Sequence, residues 1–410
     1  MTDYHLTDRV EKYLHRLCVE IPSRRVGSQG NQAATAFFAQ ILESFGFQTE
    51  RPEVECMDWT QSGARLTVGN DRFNAQPSPY SLGCRVSAPL AVVSTVKELE
   101  TIEAAGKVLL LHGEIAREQL MPKNFPFYNP EEHQRIIHLL EAKAPPAIIA
   151  ATSRNPELAG AVYPFPLIED GDFDIPSVYM TEEEGARLAE LAGEPVALDS
   201  QTQRIPSRGC NVIGRIGADQ ARRVVLCAHI DAKAGTPGAL DDASGIAVLL
   251  LLAELLQGYS GRLGIEILAI NGEDYYCSPG EVHYLQSSQG RLNQVWLDIN
   301  LDGIGLAQSN TAYSLYDCPA ELESLIREIF LSYPDMVEGE PWYQGDHMIF
   351  VMNQVPALAI TSDRLGEILT HIAHTPRDTP DLVDPTRLAN LALALKALLF
   401  RLDQAIPSHP

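Results

Sequence analysis

Apolar positions recur along the opening residues with helical spacing. Val10, Tyr13, Leu14 and Leu17 fall at i, i+3, i+4 and i+7, which predicts an amphipathic helix from about Thr7. The stretch Ser23-Arg24-Arg25-Val26-Gly27-Ser28 is a turn-rich break. A second helix should follow, with Asn31 as its cap, Ala34, Phe37, Phe38, Ile41 and Leu42 on one face, and Gly46 at its end. A short strand is expected from Phe47. From 63 to 201 the pattern changes. Apolar runs at Ala88–Val93, Lys107–Leu111, Ala147–Ala151 and Pro176–Met180 are separated by Pro and Gly, with short helical pieces at Pro130–Lys143 and Glu182–Ala192. The segment Met121–Tyr128 is aromatic and contains Pro, and reads equally as a ligand-facing loop or a packed one.

After Arg208 strands alternate with helices. Strands are expected at Val224–Ala228, Leu263–Ile270, Val295–Leu301 and Val355–Ile360; helices at Ala243–Gln257, Ala320–Tyr333 and Pro385–Leu402. Such alternation implies an α/β fold built on a three-layer, mostly parallel (mixed) sheet. The expected organisation is a discontinuous domain, 1–62 with 202–410, interrupted by a β-rich insert at 63–201.

Length supports this division, since 410 residues exceed one comfortable domain. With 45% hydrophobic and 21% charged residues the chain has ordinary globular usage. A net charge of -23 argues against nucleic acid and anionic membrane as partners, because nothing would neutralise phosphates. The 7 cysteines include no C-x-x-C pair, so thiolate zinc and thioredoxin-type chemistry are not expected. Cys227, inside an apolar strand, reads as a small buried residue. The opening MTDYHLTDRVEKYL lacks a basic start followed by an apolar run, and the longest apolar run, Ile246–Ala253, is too short to cross a bilayer. A cytoplasmic location is the resulting expectation.

The chemistry lies where the strands end. Ligand sites in open α/β sheets sit beyond the carboxyl ends of the strands. His229 and Asp231 follow the first strand of the βα region, Glu273 and Asp274 follow LGIEILAI, and Asp302 follows VWLDINL. Asp241 and Asp242 stand at the mouth of a helix, and His374 lies in the loop before the last helix. A lone His is more often structural than a ligand, and an acidic pair is more often a solvated turn. Two His and several carboxylates at successive strand ends are a different matter, because imidazole and carboxylate suit zinc and similar divalent ions. A two-metal site needs two His, two terminal carboxylates and a carboxylate bridge. The chain offers His229 and Asp302 for one ion, Asp274 and His374 for the other, and Asp241 between them. Metals about 3.5–4 Å apart can activate one water and clamp a scissile carbonyl. Glu273, beside a ligand, is placed to carry the proton. Asp231 is placed to hold the second nitrogen of His229. Asp242 reads as a helix-start residue.

The stretches AHIDA, GALDDASG, NGEDYY, INLDGIG and HTPRDT, in that order, resemble the co-catalytic di-zinc aminopeptidase family, which includes leucyl aminopeptidases, glutamate carboxypeptidase II and glutaminyl cyclases. The resemblance implies a metal-dependent exopeptidase, an aminopeptidase acting on peptides with a free N-terminus. It implies two Zn2+, with the second site open to another divalent metal. By motif, His229, Asp302, Asp274 and His374 would be terminal ligands, Asp241 the bridge, Glu273 the general acid/base and Asp231 the orienting carboxylate. The turn Arg25-Val26-Gly27-Ser28 resembles the family's opening, and Asn211-Val212-Ile213-Gly214 its return into the sheet. The insert resembles a protease-associated domain on Gly106–Leu110 and Ile175–Tyr179.

The chain departs from the family at Asp274, where a Glu is usual; the lost methylene withdraws the ligand oxygen by about 1.5 Å. Ala373 stands where some members carry an aromatic residue. His371 is an alternative ligand without the Thr-x-x-Asp-Thr context, and Asp346-His347 with Phe350 resembles another element near the site, for which a structural role is expected. Tyr275, Tyr276, Trp342 and Tyr343 are candidates to line the pocket. A cyclase or carboxypeptidase on the same scaffold, or a non-catalytic binding protein, are the competing readings.

Overall fold

The structure, a computed structural model, describes residues 3–21, 23–153 and 165–405. The chain divides into two compact units, 1–56 with 208–410, and 57–207. The expected boundaries at 62/63 and 201/202 fall inside two long strands, Glu53–Val68 and Pro195–Cys210, which carry the chain out of the first unit and back.

The first unit is organised on an eight-stranded sheet. Its centre is parallel: Leu263–Ile270, Asp219–His229, Val295–Leu301 and Ala357–Ser362 lie side by side in that order. The flanks turn antiparallel, with Val212–Ile216 against Leu263–Ile270 and Thr311–Tyr316 against Ala357–Ser362. Sequence pattern misses Thr311–Tyr316. Its Ser and Thr dilute the apolar signal, and its place beside a buried strand, rather than its own composition, makes it a strand.

Alternate residues explain the layers. Val224, Leu226, Ala228, Leu297, Ile299 and Leu301 point into one core with the helices Asp3–His15, Gln29–Ser44, Ser244–Leu255 and Pro385–Ala405. The helix Ser244–Leu255 is buried from Ser244 to Glu254. It is apolar on all sides because sheet and neighbouring helices enclose it. The opposite sheet face carries Glu266 and Asn300, which bond Tyr284 and His347 from the helices Pro279–Ser287 and His347–Val351. The first helix begins at Asp3 rather than Thr7 and continues as a wide π-type turn, Arg16–Glu20. The second helix is capped by Ser28, whose hydroxyl accepts from the N–H of Asn31 at 3.1 Å, so Asn31 is not the cap. The amide side chain of Asn31 is instead spent on tertiary partners, described below.

The second unit is built on another eight-stranded sheet, whose strands Cys84–Val93, Val108–Leu111, Ile148–Thr152 and Ser177–Thr181 run parallel in sequence order. Leu109, Leu111, Ile148 and Ala150 enter one core with the helix Glu131–Lys143; Val108, Leu110, Ile149 and Ala151 enter another. Burial on both faces is why VLLL and IIAAT read as unbroken apolar runs rather than alternating ones. No described helix is long and apolar enough to cross a membrane.

Candidate metal centre

The parallel register brings the strand ends together. His229 is the last residue of its strand and lies opposite Ile270, after which the chain turns through Asn271 and Gly272 to Glu273 and Asp274. Asp302 directly follows the neighbouring strand. Asp241 and Asp242 come from the turn Ala239–Ala243, which feeds the buried helix. His374 adopts a left-handed backbone, φ 59°, uncommon for a residue with a side chain.

Asp241 stands at the centre. One oxygen, Oδ1, lies 3.0 Å from His229 Nε2, and the other, Oδ2, lies 3.1 Å from His374 Nε2. Asp274 Oδ1 reaches His374 Nε2 at 2.7 Å. The structure thus brings His229, Asp241, Asp274 and His374 into one cluster, and the shortened Asp274 still reaches it. Donor atoms of His229, Asp241 and Asp274 lie within 4.8 Å of one another, as do those of His229, Asp242 and Asp302. All the expected ligands are in the cluster, together with Asp242. That residue also bonds the first turn of the helix Ser244–Leu255, its Oδ1 accepting from Gly245 N at 2.9 Å. His371 is exposed at the end of the helix Leu365–His371 and neither donor group includes it.

The donor set fits a borderline divalent cation. Both ring nitrogens of the buried His229 lack an aligned hydrogen-bond partner, as do Asp242 Oδ2 and Asp274 Oδ2. Buried polar atoms are normally satisfied, so several orphans around one point mark a place for an ion.

The electrostatics agree. Burial works against a charge on His229, but the carboxylates of Asp231 and Asp241 outweigh it and raise its pKa well above the usual value. Burial is likewise overcome at His374 by Asp274 and Asp241, and its pKa is also raised. Asp241 is held well below the carboxylate range despite burial, because both imidazoles face it. Asp302 is pushed up to about 7, first by burial and then by Asp241 and Asp274 against the pull of His229. Burial also lifts Glu273 well above the carboxylate range, with Asp274 and Glu281 adding to it and His229 opposing.

Asp231 holds a loop. Its Oδ1 accepts from Gly272 N at 2.6 Å and Glu273 N at 3.3 Å, and its Oδ2 from Asp274 N at 3.2 Å. His229 Nδ1 is 3.7 Å from Oδ1, longer than a hydrogen bond. Asp231 therefore sets the turn that delivers Glu273 and Asp274, and faces His229 without bonding it.

Asp378 and Glu281 carry no assignment from the sequence, and Asp346 only the expectation of a structural role. Asp378 accepts from Leu240 N at 2.7 Å and Asp241 N at 3.1 Å, so it fixes the backbone that carries Asp241. Its place in HTPRDT was the available signal. Glu281 is pushed up to about 7 and Asp346 well above its usual value, both first by burial; each also feels other carboxyls, Asp231 at Glu281, and Glu281 and Glu273 at Asp346. Nothing in the spacing of Glu281 marks it. His347 is structural, as expected: its ring packs 4.5 Å from Trp342, Nε2 donates to Trp342 O at 3.0 Å, and burial lowers its pKa to about 4. Tyr275 and Trp342 are packed side chains, Tyr275 donating to Ala232 O at 2.8 Å; of the four lining candidates Tyr343 is exposed and Tyr276 half-buried.

Comparison with known proteins finds similarity over this part of the chain. Residues 211–399 match peptidase family M28. A probable lipoprotein aminopeptidase from Mycobacterium tuberculosis is 26% identical over 309 residues, 72% of this chain and 57% of the relative, so the chain spans little more than half of that protein. A probable leucine aminopeptidase 2 from Aspergillus oryzae is 23% identical over 381 residues, 87% of this chain and 73% of the relative. Among solved structures, a zinc aminopeptidase from Bacillus subtilis superposes with a TM-score of 0.74 at 18% identity, covering 97% of this chain and 94% of that one.

Proposed function

We propose that this chain, whose residues 211–399 match peptidase family M28, is a zinc-dependent aminopeptidase that hydrolyses the N-terminal bond of peptides at a two-ion centre. The observation that carries the reading is Asp241, which presents one carboxylate oxygen to each of two imidazoles at 3.0 and 3.1 Å. A carboxylate so shared is what a pair of adjacent cations requires. His229 and Asp302 would hold one ion, His374 and Asp274 the other, and Asp241 both; Asp242 is within reach of the first group.

When bound, the ions polarise the scissile carbonyl and lower the pKa of a water. The chain's own residues do the rest. Glu273 follows the strand end that also supplies a ligand, and accepts the proton of the attacking water. Burial strengthens its hold on that proton until the leaving amine takes it. Asp231 fixes the turn from which Glu273 projects. The matched relatives named as aminopeptidases support a substrate with a free N-terminus. The unit 57–207 is read as a protease-associated insert, supported by Gly106–Leu110 and Ile175–Tyr179; an experimental structure with a different strand order in that unit would overturn this.

The test uses aminoacyl chromogenic amides with N-acetylated controls. Chelator should abolish hydrolysis and zinc restore it, with two zinc ions per chain at full activity. Glu273→Gln should lower kcat by roughly 10²- to 10⁴-fold while metal content is retained. Cleavage of blocked substrates, or undiminished turnover by the fully stripped protein, would sink the reading.

A further inference from the structure

The segment Leu17–Asn31 lies outside the family match, which begins at residue 211, yet two of its side chains, Arg24 and Asn31, are spent on the metal loops. Arg24 is 2% exposed. Its guanidinium is bonded to backbone carbonyls: Nε donates to Ile230 O at 3.0 Å, Nη1 to Leu17 O at 2.9 Å and Pro237 O at 2.8 Å, and Nη2 to Gly238 O at 2.8 Å. Burying a guanidinium is unfavourable, and a fork satisfied on several donors is needed to hold it there.

The carbonyls it grips are telling. Ile230 sits between His229 and Asp231. Pro237 and Gly238 lead directly into the turn Ala239–Ala243 that carries Asp241. One rigid group therefore sets the distance between the two ends of the loop that delivers a terminal ligand and the bridge. Gly238 has φ +61°, and a Cβ there would lie 2.8 Å from Arg24 Nη2, so only glycine lets the fork close.

Asn31 does the same for the second loop. Its Nδ2 donates to Asn271 Oδ1 at 2.7 Å and to the carbonyl of Arg24 itself at 3.0 Å, and Asn271 Nδ2 returns a bond to Asn31 Oδ1 at 3.0 Å. Asn271 begins the turn to Glu273 and Asp274. It is also bonded to Cys210 O and to Asn211 Oδ1, each at 3.0 Å. The amide pair thus ties the start of the Gly272–Asp274 turn to the same short segment that holds the His229–Asp241 loop.

We propose that Arg24 and Asn31 are positioning residues of the metal centre, the first acting through the loop between His229 and Asp241 and the second through Asn271. This rests on the metal-centre reading above. It separates the segment's task from general stability: loosening either clamp spreads the ligands and lowers metal affinity in a protein that is still folded.

The experiment measures zinc affinity of the chelator-stripped full chain by competition with a chromophoric chelator. Circular dichroism and urea unfolding confirm that each variant is folded under the same conditions. Arg24→Lys keeps the charge but cannot span the carbonyls, and should weaken zinc binding roughly 10- to 100-fold, the usual effect of losing an outer-shell partner. Asn31→Ala should weaken one of the two ions, that of Asp274 and His374, more than the other. Asp241→Ala is the control for the centre itself. If it binds zinc like wild type, the metal-centre reading fails. If it loses zinc while folded Arg24→Lys and Asn31→Ala bind like wild type, the positioning proposal alone is overturned. Should both variants fail to fold, amide hydrogen exchange on the wild-type chain decides. Coupling is reciprocal, so zinc should slow exchange in residues 17–31, and unchanged exchange there would overturn the proposal.

Discussion

Asp274 is where the residue scale is most informative. A side chain one methylene shorter than its usual counterpart still lies 2.7 Å from His374 Nε2, with its own N–H donating to Asp231 Oδ2 at 3.2 Å. Lengthening it would therefore not repair the centre. Asp231→Asn should be the more damaging change. It replaces an acceptor of three N–H groups by an amide with one carbonyl oxygen, releasing the turn of Glu273 and Asp274. Zinc affinity is expected to fall roughly 10- to 100-fold, measured by the same competition; wild-type affinity would show that the turn holds itself. At this scale the reacting types were legible in the chain, because His and Asp at strand ends carry their chemistry openly. Arg24 and Asp378 were not, since they act on backbone carbonyls and N–H groups that every residue possesses. Asp231 was assigned to His229 by sequence proximity, whereas its close partners lie 41 to 43 positions away.

Elements were legible where apolar periodicity was strong. The strands Leu263–Ile270 and Val295–Leu301 have the bounds expected of them, and the helix Ser244–Leu255 lies within its expected span. What escaped were features decided by neighbours: the strand Thr311–Tyr316 and the capping of the second helix by Ser28. The enclosed helix leads to a prediction. Leu250 is fully buried between the sheet and the surrounding helices, so Leu250→Ala should cost about 2–5 kcal/mol in urea unfolding. Because Leu250 lies in the middle of this helix, away from Asp241 and Asp242, the loss should appear in metal-free and zinc-loaded protein alike. A change under 1 kcal/mol on that scale would mean that the helix repacks freely.

For the whole molecule, the concentration of buried carboxyls couples stability to pH. Asp302 and Glu281 are pushed up to about 7, in both cases first by burial. Each therefore binds its proton more tightly folded than unfolded, and contributes stability that is full below the unfolded pKa of about 4 and lost as pH rises through the folded value. His229 and His374, raised by their carboxylates against burial, lose their contribution in the same direction. Asp241, held low, works oppositely only in strong acid. Chelator-treated protein should accordingly melt lower at pH 8 than at pH 6, and added zinc should raise Tm more at pH 8, because its ligands must be deprotonated. Thermal scans at the two pH values, with chelator and with zinc, check this; higher stability of the stripped protein at pH 8 would contradict it. The two-unit organisation showed in the sequence as a change of pattern. Its borders did not, because Glu53–Val68 and Pro195–Cys210 run unbroken across them, and Gly63, Pro206 and Gly209 lie inside these strands rather than ending them.

The joint made by Asp231 has a consequence for how such a centre can change. A carboxylate leaving one strand seats the whole turn leaving the next, so Glu273 and Asp274 on that turn have no position of their own. Variation at Glu273 or Asp274 is confined to what this seat allows, and the turn cannot be replaced piecemeal. Anyone transplanting the site to another sheet would have to carry the two strand ends as a single part, with Asp231 as its hinge pin.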